Sequence, residues 1–136
     1  MPLKHNGLDH LAIVVPNTED ALRLWRDKIG LKVLYSEKVN NDTVLLTHLN
    51  LGNTQLQLVQ PMVADHPLWT WLEKNDGAGL HHFCFAVDNI EESFSNLFEQ
   101  TGLKPAPAPH QGTRGKKALF VDNKNTGGVT IELTGK

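Results

Sequence analysis

The chain has 136 residues, of which 40% are hydrophobic, and a formal net charge of −2 at pH 7. A chain of this length is expected to form one domain and to fold without a metal or a disulfide, so a metal site in it would serve function. The balanced charge argues against a nucleic-acid partner, which requires a basic surface. One cysteine, no membrane-length apolar run and no signal-peptide pattern predict a soluble cytoplasmic protein without a membrane partner.

The first half of the chain predicts a strand, a helix and three further strands. The opening strand covers residues 8–15, which are apolar on both faces and bounded by turn residues. The helix that follows has Asn17 or Thr18 as its N-cap and ends at Gly30. Its predicted buried stripe is Ala21, Leu22, Trp25 and Ile29. The three further strands lie at residues 32–39, 43–51 and 54–60, and a short helix near residues 66–75 joins the halves.

The second half repeats this order of elements. A strand over residues 80–87 leads into a helix that Asp88 or Asn89 caps and Gly102 ends. The predicted buried stripe of this helix is Ile90, Phe94, Leu97 and Phe98. A Pro-rich, irregular segment from Leu103 takes the place of the next strand. The last two strands are predicted at residues 117–121 and 128–133.

An internal repeat accounts for this common order. At an offset of 72 residues, residues 7–32 lie over residues 79–104, and nine of the 26 pairs are identical. Later in each half TQLQL lies over VTIEL, so that Gln57 falls on Glu132. We therefore predict one α+β domain over residues 1–136, in which two βαβββ repeats form a curved mixed sheet around a cleft. The repeats cover about 7–61 and about 79–134, and the linker helix covers about 62–78.

Side-chain alternation along the first strand of each repeat predicts which residues line the cleft. The larger residues should face the helices, namely Leu11, Ile13, Val15, Phe83, Phe85 and Val87. The opposite face of each strand carries one histidine, His10 or His82, followed by small residues. The small residues are Ala12, Val14, Cys84 and Ala86, and they would leave a cavity on this face. The last strand of each repeat has one polar residue between apolar neighbours. Repetition then brings together His10, Gln57, His82 and Glu132.

These four side chains form a ligand set for a divalent metal ion. Two imidazoles, an amide and a carboxylate suit Zn, Co, Mn or Ni. Four ligands on a metal that accepts six leave open positions for substrate oxygens. His81, outside the repeated pattern, is expected to face away. Cys84 is interpreted as a small apolar filler rather than a reactive thiol.

Six segments of the chain carry a resemblance to a known family. They are LDHLAIVVP, LGNTQLQLVQP, DHPLWTWLEKN, GAGLHHFCFAVDNI, GTRGKK and NTGGVTIEL, which together extend over nearly the whole chain. These segments resemble the methylmalonyl-CoA epimerases of the vicinal oxygen chelate superfamily. The resemblance implies the glyoxalase-like fold, a homodimer, an acyl-CoA substrate and epimerisation at the carbon between a carboxylate and a thioester. It also implies a divalent metal held by His10, Gln57, His82 and Glu132.

The implied reaction removes the α-proton through a metal-stabilised enolate. A Lewis acid would stabilise the developing oxygen charge, while an acid and a base act on opposite faces of the carbon. Glu132 is one candidate for these two groups. Some epimerases place a glutamate on the third strand, where this chain has Leu46. His48, on the same face, is a candidate replacement, although a solvent-facing hairpin is an equal interpretation of its position.

Two segments depart from the family pattern where substrate would lie. Residues 40–43 replace a PEQGV-like loop, and residues 122–124 replace an HPK sequence. Four cations near these segments could meet CoA phosphates or could be ordinary surface charges. They are Arg114, Lys116, Lys117 and Lys124.

Two other classes of function remain open at this point, another enzyme of the same superfamily and a non-catalytic binding protein. A glyoxalase I-like lactoylglutathione lyase commonly has glutamate where Gln57 stands, so the amide counts against that activity. A ring-cleaving dioxygenase needs two histidines and one carboxylate, and a fourth amide ligand fits it poorly. A non-catalytic binding protein of the bleomycin-resistance kind usually lacks the metal set, so the four residues argue against it as well.

Overall fold

The computed structural model describes residues 2–136, and their contacts divide the chain into two compact units. One unit consists of residues 10–81, and the other consists of residues 2–9 and 82–136. Each repeat has the predicted element order βαβββ. No helix among the described residues combines the length and the apolar character that crossing a membrane requires.

The unit of residues 10–81 is built on a four-stranded mixed sheet. Its strands are β1 (Leu8–Val14), β2 (Lys32–Val39), β3 (Val44–Asn50) and β4 (Gln55–Pro61). They lie in the order β2-β3-β4-β1, with β1 parallel to β4 and the other pairs antiparallel. Its helical segments are α1 (Thr18–Leu22), a π-helical continuation (Arg23–Lys28) and α2 (Pro67–Lys74). Every element predicted for this half is present within two residues of its expected position.

Helix α1 packs on the face of the sheet that the sequence assigned to it. Asn17 caps it, because its side chain accepts a hydrogen bond from the backbone of Asp20 at 3.0 Å. Leu22 is buried in a cluster that includes Leu11 and Ile13 of β1. The predicted stripe is wrong at Ile29, which is 57% exposed. The π-helical turn explains this, since its backbone bonds span five residues and change the angular spacing that the prediction assumed.

The opposite face of this sheet is filled rather than hollow at its apolar end. Ala12 and Val14 are fully buried, as expected of small inward residues. They belong to a cluster with Leu46, Val59 and Leu72, the last of which comes from α2. The expectation of a cavity beside these small side chains is therefore wrong. Leu68, Trp69 and Trp71 of the same helix pack against this cluster.

The second unit contains the corresponding mixed sheet. Its strands are β5 (Gly79–Ala86), β6 (His110–Gln111), β7 (Lys117–Val121) and β8 (Ile131–Gly135). They lie in the order β5-β8-β7-β6, with β5 parallel to β8 and the other pairs antiparallel. Its helical segments are α3 (Ile90–Thr101) and a 3₁₀ turn (Asn123–Asn125). The Pro-rich segment forms only the two-residue β6, and β8 begins three residues later than predicted.

Helix α3 has the predicted ends and nearly the predicted buried stripe. The Asn89 side chain caps its first turn, and Gly102 ends it in the left-handed conformation at φ 77°. Ile90 and Leu97 are buried in the core of this unit. Phe98 is 55% exposed, contrary to the prediction. Successive helical residues are separated by about 100°, so Phe98 lies beyond the edge of the stripe that Leu97 occupies.

Candidate metal and active site

One end of the inner sheet face in residues 10–81 is polar. Strand pairing places Gln57 of β4 between Ala12 of β1 and His48 of β3. His10 lies two residues before Ala12 and therefore on the same face. His10, Gln57 and His48 are all buried. The two ligands predicted in this unit thus share a face with the candidate acid or base.

Hydrogen bonds fix how His48 and its neighbours are oriented. Its Nδ1 lies 2.7 Å from Oε1 of Gln55, and its Nε2 lies 3.0 Å from Nε2 of Gln57. A carbonyl oxygen only accepts and an amide nitrogen only donates. His48 therefore carries its proton on Nδ1 and accepts on Nε2. The amide of Gln57 turns its nitrogen to His48, which leaves its oxygen for another partner.

His48 is enclosed by aromatic rings. Its side chain stacks on Tyr35, with ring centroids 4.6 Å apart and planes at 13°, and it meets His10 edge-on at 5.4 Å. It is 1% exposed, so the interpretation of a solvent-facing hairpin is wrong. Leu46, at the position of the family glutamate, belongs to the apolar cluster beside it. The burial of His48 beside His10 and Gln57 is compatible with its predicted role as an acid or base.

In the second unit, two predicted ligands contact each other directly. Nε2 of His82 lies 3.1 Å from Oε1 of Glu132, and both side chains are buried. The register of β5 and β8 pairs Cys84 with Glu132, which puts His82 on the same face. A buried carboxylate beside an imidazole supplies the oxygen and nitrogen donors that a divalent cation prefers.

His110 is part of this site, and the sequence did not predict it. Its Nε2 lies 3.2 Å from Oε2 of Glu132. Its ring stacks on Phe120 at 5.1 Å, and the same phenyl ring meets His82 edge-on at 5.3 Å. The Pro-rich segment around it has no alternating pattern, so the pairing of β6 with β7 could not be foreseen. A histidine among prolines and alanines was the available signal.

The two units repeat this geometry as well as the sequence. In each, a ligand-type imidazole meets a ring of the third strand edge-on, and that ring stacks on a second ring. One of the two stacked rings is an imidazole that contacts the amide or carboxylate of the last strand. The equivalent pairs are His10 and His82, His48 and Phe120, Tyr35 and His110, and Gln57 and Glu132.

Cys84 is the apolar filler that the sequence predicted. It is fully buried on β5. Burial raises the pKa of its thiol above the ordinary value of 9.0, and the carboxylates of Glu132 and Asp9 raise it further. The thiol is therefore neutral and inert at the pH of the cell.

The four predicted substrate cations lie in one unit but in different surroundings. Lys117 donates to Glu91 of α3 at 3.0 Å. Lys116 lies 3.9 Å from the carboxylate of Asp9. Arg114 is exposed in a loop, where its φ is 56°. The fourth cation, Lys124, is exposed in the 3₁₀ turn.

His81 and the loop of residues 40–43 were also singled out in the sequence, and the structure shows what surrounds the first and the backbone conformation of the second. His81, expected to face away from the ligand set, meets Trp71 edge-on at 5.0 Å. The loop that departs from the family pattern contains Asn40, Asn41 and Asp42, whose φ values are 54°, 58° and 60°. Asparagine and aspartate tolerate this left-handed conformation better than other residues with a side chain.

The sequence matches one protein family over most of its length. Residues 9–120 match the model of the Glyoxalase/Bleomycin resistance protein/Dioxygenase superfamily. The mitochondrial methylmalonyl-CoA epimerase of Mus musculus is 34% identical over 130 residues, which are 96% of this chain and 73% of that protein. The ethylmalonyl-CoA/methylmalonyl-CoA epimerase of Cereibacter sphaeroides is 32% identical over 127 residues, 93% of this chain and 95% of that protein.

A solved structure has the same fold. It is a methylmalonyl-CoA epimerase in complex with methylmalonyl-CoA and NH4+, with a TM-score of 0.83 and 25% identity. The match covers 98% of this chain and 96% of that chain. The glyoxalase-like fold that the resemblance implied is therefore confirmed.

Proposed function

Because this chain belongs to the glyoxalase/bleomycin resistance protein/dioxygenase superfamily and is an isomerase of the epimerase type, we propose that it epimerises a 2-carboxyacyl-CoA such as methylmalonyl-CoA. The observation that carries the proposal is that relatives named as epimerases match 93% or more of the chain. The carbon that is inverted lies between a carboxylate and a thioester. Its proton is removable only when the enolate oxygen meets positive charge.

We propose that His10, Gln57, His82 and Glu132 hold a divalent metal ion, of the group Co, Zn, Mn and Ni. The contact of 3.1 Å between buried His82 and Glu132 supports this, as does the shared face of His10 and Gln57. These nitrogen and oxygen donors fit such a cation. A metal bound there would supply Lewis-acid charge to the substrate oxygens.

Glu132 is proposed as one of the two groups that move the α-proton. Its carboxylate is buried, and each of its oxygens lies beside a histidine. A buried carboxylate held in this way is a positioned base. In one direction it takes the proton from the α-carbon, and in the reverse direction it returns one to the same face.

His48 is proposed as the second group, on the opposite face of the α-carbon. The bond from Nδ1 to Gln55 keeps the lone pair on Nε2, which is the atom that a base must use. In the structure this lone pair accepts from the amide of Gln57, one of the proposed ligands, so that hydrogen bond must open before Nε2 takes a proton. One group removes a proton while the other delivers one, so the configuration inverts without a net change in composition.

Hydrogen exchange with solvent tests this assignment. The purified chain is incubated in D2O with a divalent metal and with either enantiomer of methylmalonyl-CoA. We expect deuterium at the α-carbon in both cases. His48→Asn retains a donor toward Gln55 and loses Nε2, so it should lose epimerisation yet keep exchange with one enantiomer through Glu132.

The control variant is His81→Asn, which removes an imidazole that contacts Trp71 instead. It should epimerise as the wild type does. Full epimerisation by His48→Asn, or loss of exchange with both enantiomers, would contradict the role of His48. If the wild type gives no exchange with any metal, the proposed function is wrong.

The exposed cations are proposed to bind the phosphates of CoA. Arg114 and Lys124 are both exposed, Arg114 in a loop and Lys124 in the 3₁₀ turn, where a phosphate can reach them. Arg114→Ala should raise KM for the CoA thioester about two- to fivefold, as expected for an exposed charge contact. KM for the pantetheine thioester, which lacks the nucleotide phosphates, should not change.

The matched control for Arg114→Ala is Arg23→Ala, an exposed arginine on the other unit that lies near Asp20. It should leave both KM values unchanged. An equal rise in KM for both thioesters in Arg114→Ala would contradict phosphate binding.

A homodimer is also proposed, and light scattering of the purified chain measures its molar mass.

A further inference from the structure

The carboxylate of Glu132 is shared between two histidines, and only one of them belongs to the proposed ligand set. His82 lies at Oε1, at 3.1 Å, while His110 lies at Oε2, at 3.2 Å. The His110 side chain is 31% exposed, so it covers the outer side of a carboxylate that is otherwise buried. The ligand set does not account for a second imidazole here, and the equivalent residue of the other unit is Tyr35.

We propose that His110 is a positioning residue for Glu132, an inference that rests on the proposed metal-dependent function. A carboxylate oxygen accepts hydrogen bonds, so Nε2 of His110 donates to Oε2. This bond uses one lone pair of Oε2 and leaves Oε1, the oxygen beside His82, as the ligand atom, while the second lone pair of Oε2 stays available for the α-proton. Glu132 would then bind a metal through one oxygen, which would leave one more position on the ion for substrate than a two-oxygen contact.

Phe120 holds the imidazole in the orientation that this bond requires. It lies opposite Glu132 on the neighbouring strand. Its ring stacks on His110 with planes at 15° and meets His82 at 87°. Both histidines that touch the carboxylate therefore pack on one phenyl ring, and packing fixes where their nitrogens point.

The other unit has the same arrangement with the rings exchanged. There the imidazole of His48 stacks on Tyr35 at 13° and accepts from the amide of Gln57. In each unit an imidazole from a stacked pair thus occupies one polar atom of the last-strand residue. The other polar atom is left available. The recurrence supports a positioning role for His110 rather than an incidental contact.

Titration of the full chain with Co2+ tests the inference without measuring activity. Calorimetry gives the affinity, and visible absorption reports the coordination of the ion. His110→Leu removes the donor, and we expect it to weaken Co2+ binding about 10- to 100-fold and to change the spectrum. His110→Gln retains a donor near the position of Nε2 and should bind within a few-fold of the wild type.

The control is His5→Leu, which removes another imidazole that contacts a phenyl ring, that of Phe85, in the same unit. Its Co2+ affinity should equal that of the wild type. If His110→Leu binds Co2+ with unchanged affinity and spectrum, the positioning role is overturned and the proposed metal centre stands. If the wild type binds no Co2+, the metal centre itself is wrong, and the positioning role with it.

A third variant keeps the test decisive if His110→Leu does not fold. His110→Asn is polar but one methylene shorter than His110→Gln, so its amide does not reach Oε2. We expect the asparagine variant to bind Co2+ at least tenfold more weakly than the glutamine variant. Equal affinities in these two folded variants would overturn the proposal.

Discussion

Cys84 shows how burial decides the chemistry of a single side chain. It pairs with Glu132 across β5 and β8 and is fully buried. Burial is the main cause of its raised pKa, and two nearby carboxylates add to the effect. A thiolate in this position would be desolvated and would face negative charge. The side chain therefore contributes volume to the site and no nucleophile.

This raised pKa predicts how stability depends on pH. The unfolded chain releases the thiol proton near the ordinary pKa of 9.0, whereas the folded chain retains it. Above that pH the folded state holds one more proton, so the free energy of unfolding should fall by up to about 1.4 kcal/mol per pH unit. Below it, Cys84 contributes no slope. Urea unfolding of the wild type and of Cys84→Ala between about pH 8 and 10 measures the difference.

Only the slopes of the two proteins are compared, because the alanine variant also loses packing by an amount that does not depend on pH. The wild type should lose stability more steeply than Cys84→Ala as the pH rises above 9.0. Lysine titration contributes equally to both proteins and cancels. Equal slopes would mean that the thiol ionises in the folded chain, contrary to its burial.

Helical spacing predicted the buried face of each helix except at one position. Leu22 and Leu97 are buried as expected, whereas Ile29 and Phe98 are exposed. The first error has a backbone cause, the π-helical turn before Ile29. The second error concerns the width of the buried stripe on α3, since the stripe centred on Ile90 and Leu97 ends before Phe98. Periodicity alone reports neither a change of helix type nor the width of the contact.

Two neighbouring residues of α3 give a direct test of this difference in burial. Leu97 is 1% exposed and packs in the core, while Phe98 is exposed. Leu97→Ala should lower the free energy of unfolding by about 2–5 kcal/mol, because it leaves a cavity. Phe98→Ala should change it by less than about 0.5 kcal/mol.

Urea unfolding measures both variants, which replace neighbouring residues of the same helix. A large loss in Phe98→Ala would show that a partner covers the exposed phenyl ring in solution. Such a loss would then depend on protein concentration, as the proposed homodimer requires. A small loss in Leu97→Ala would contradict the core position of that leucine.

Side-chain alternation along the strands predicted most residues of the candidate site, and its failures can also be traced to particular residues. It predicted that His82 shares a face with Glu132 and that His10 shares a face with Gln57, and both relations hold. It did not reveal His110, whose strand has only two residues. The predicted cavity failed because α2, although recognised as a helix, packs its Leu72 and two tryptophans where the space was expected. Which helix covers which face depends on tertiary packing that a local pattern does not contain.

The duplication explains why the element order and the positions of the proposed ligands could be predicted from a single sequence. A strand pattern seen twice, with the same polar position on the first and last strands, is stronger evidence than either copy alone. The repeat also shows where the copies have diverged. Gln57 of the first copy corresponds to Glu132 of the second, and an imidazole contacts each of these two side chains. The fold and the shared faces of the proposed ligands were thus predictable, whereas the contacts that His48 and His110 make with Gln57 and Glu132 became visible only in the structure.

The proposed ligands come from both halves of the chain, so metal binding should stabilise the folded molecule through both. At a metal concentration 100 times the Kd, the linkage adds about 2.7 kcal/mol to the free energy of unfolding. We expect Tm to rise by several degrees on adding Co2+. His10→Ala and His82→Ala should each abolish this rise, and His81→Ala should retain it. If His10→Ala kept the full rise, the ion would be held by His82 and Glu132 without the first half, and the four-ligand centre would be wrong.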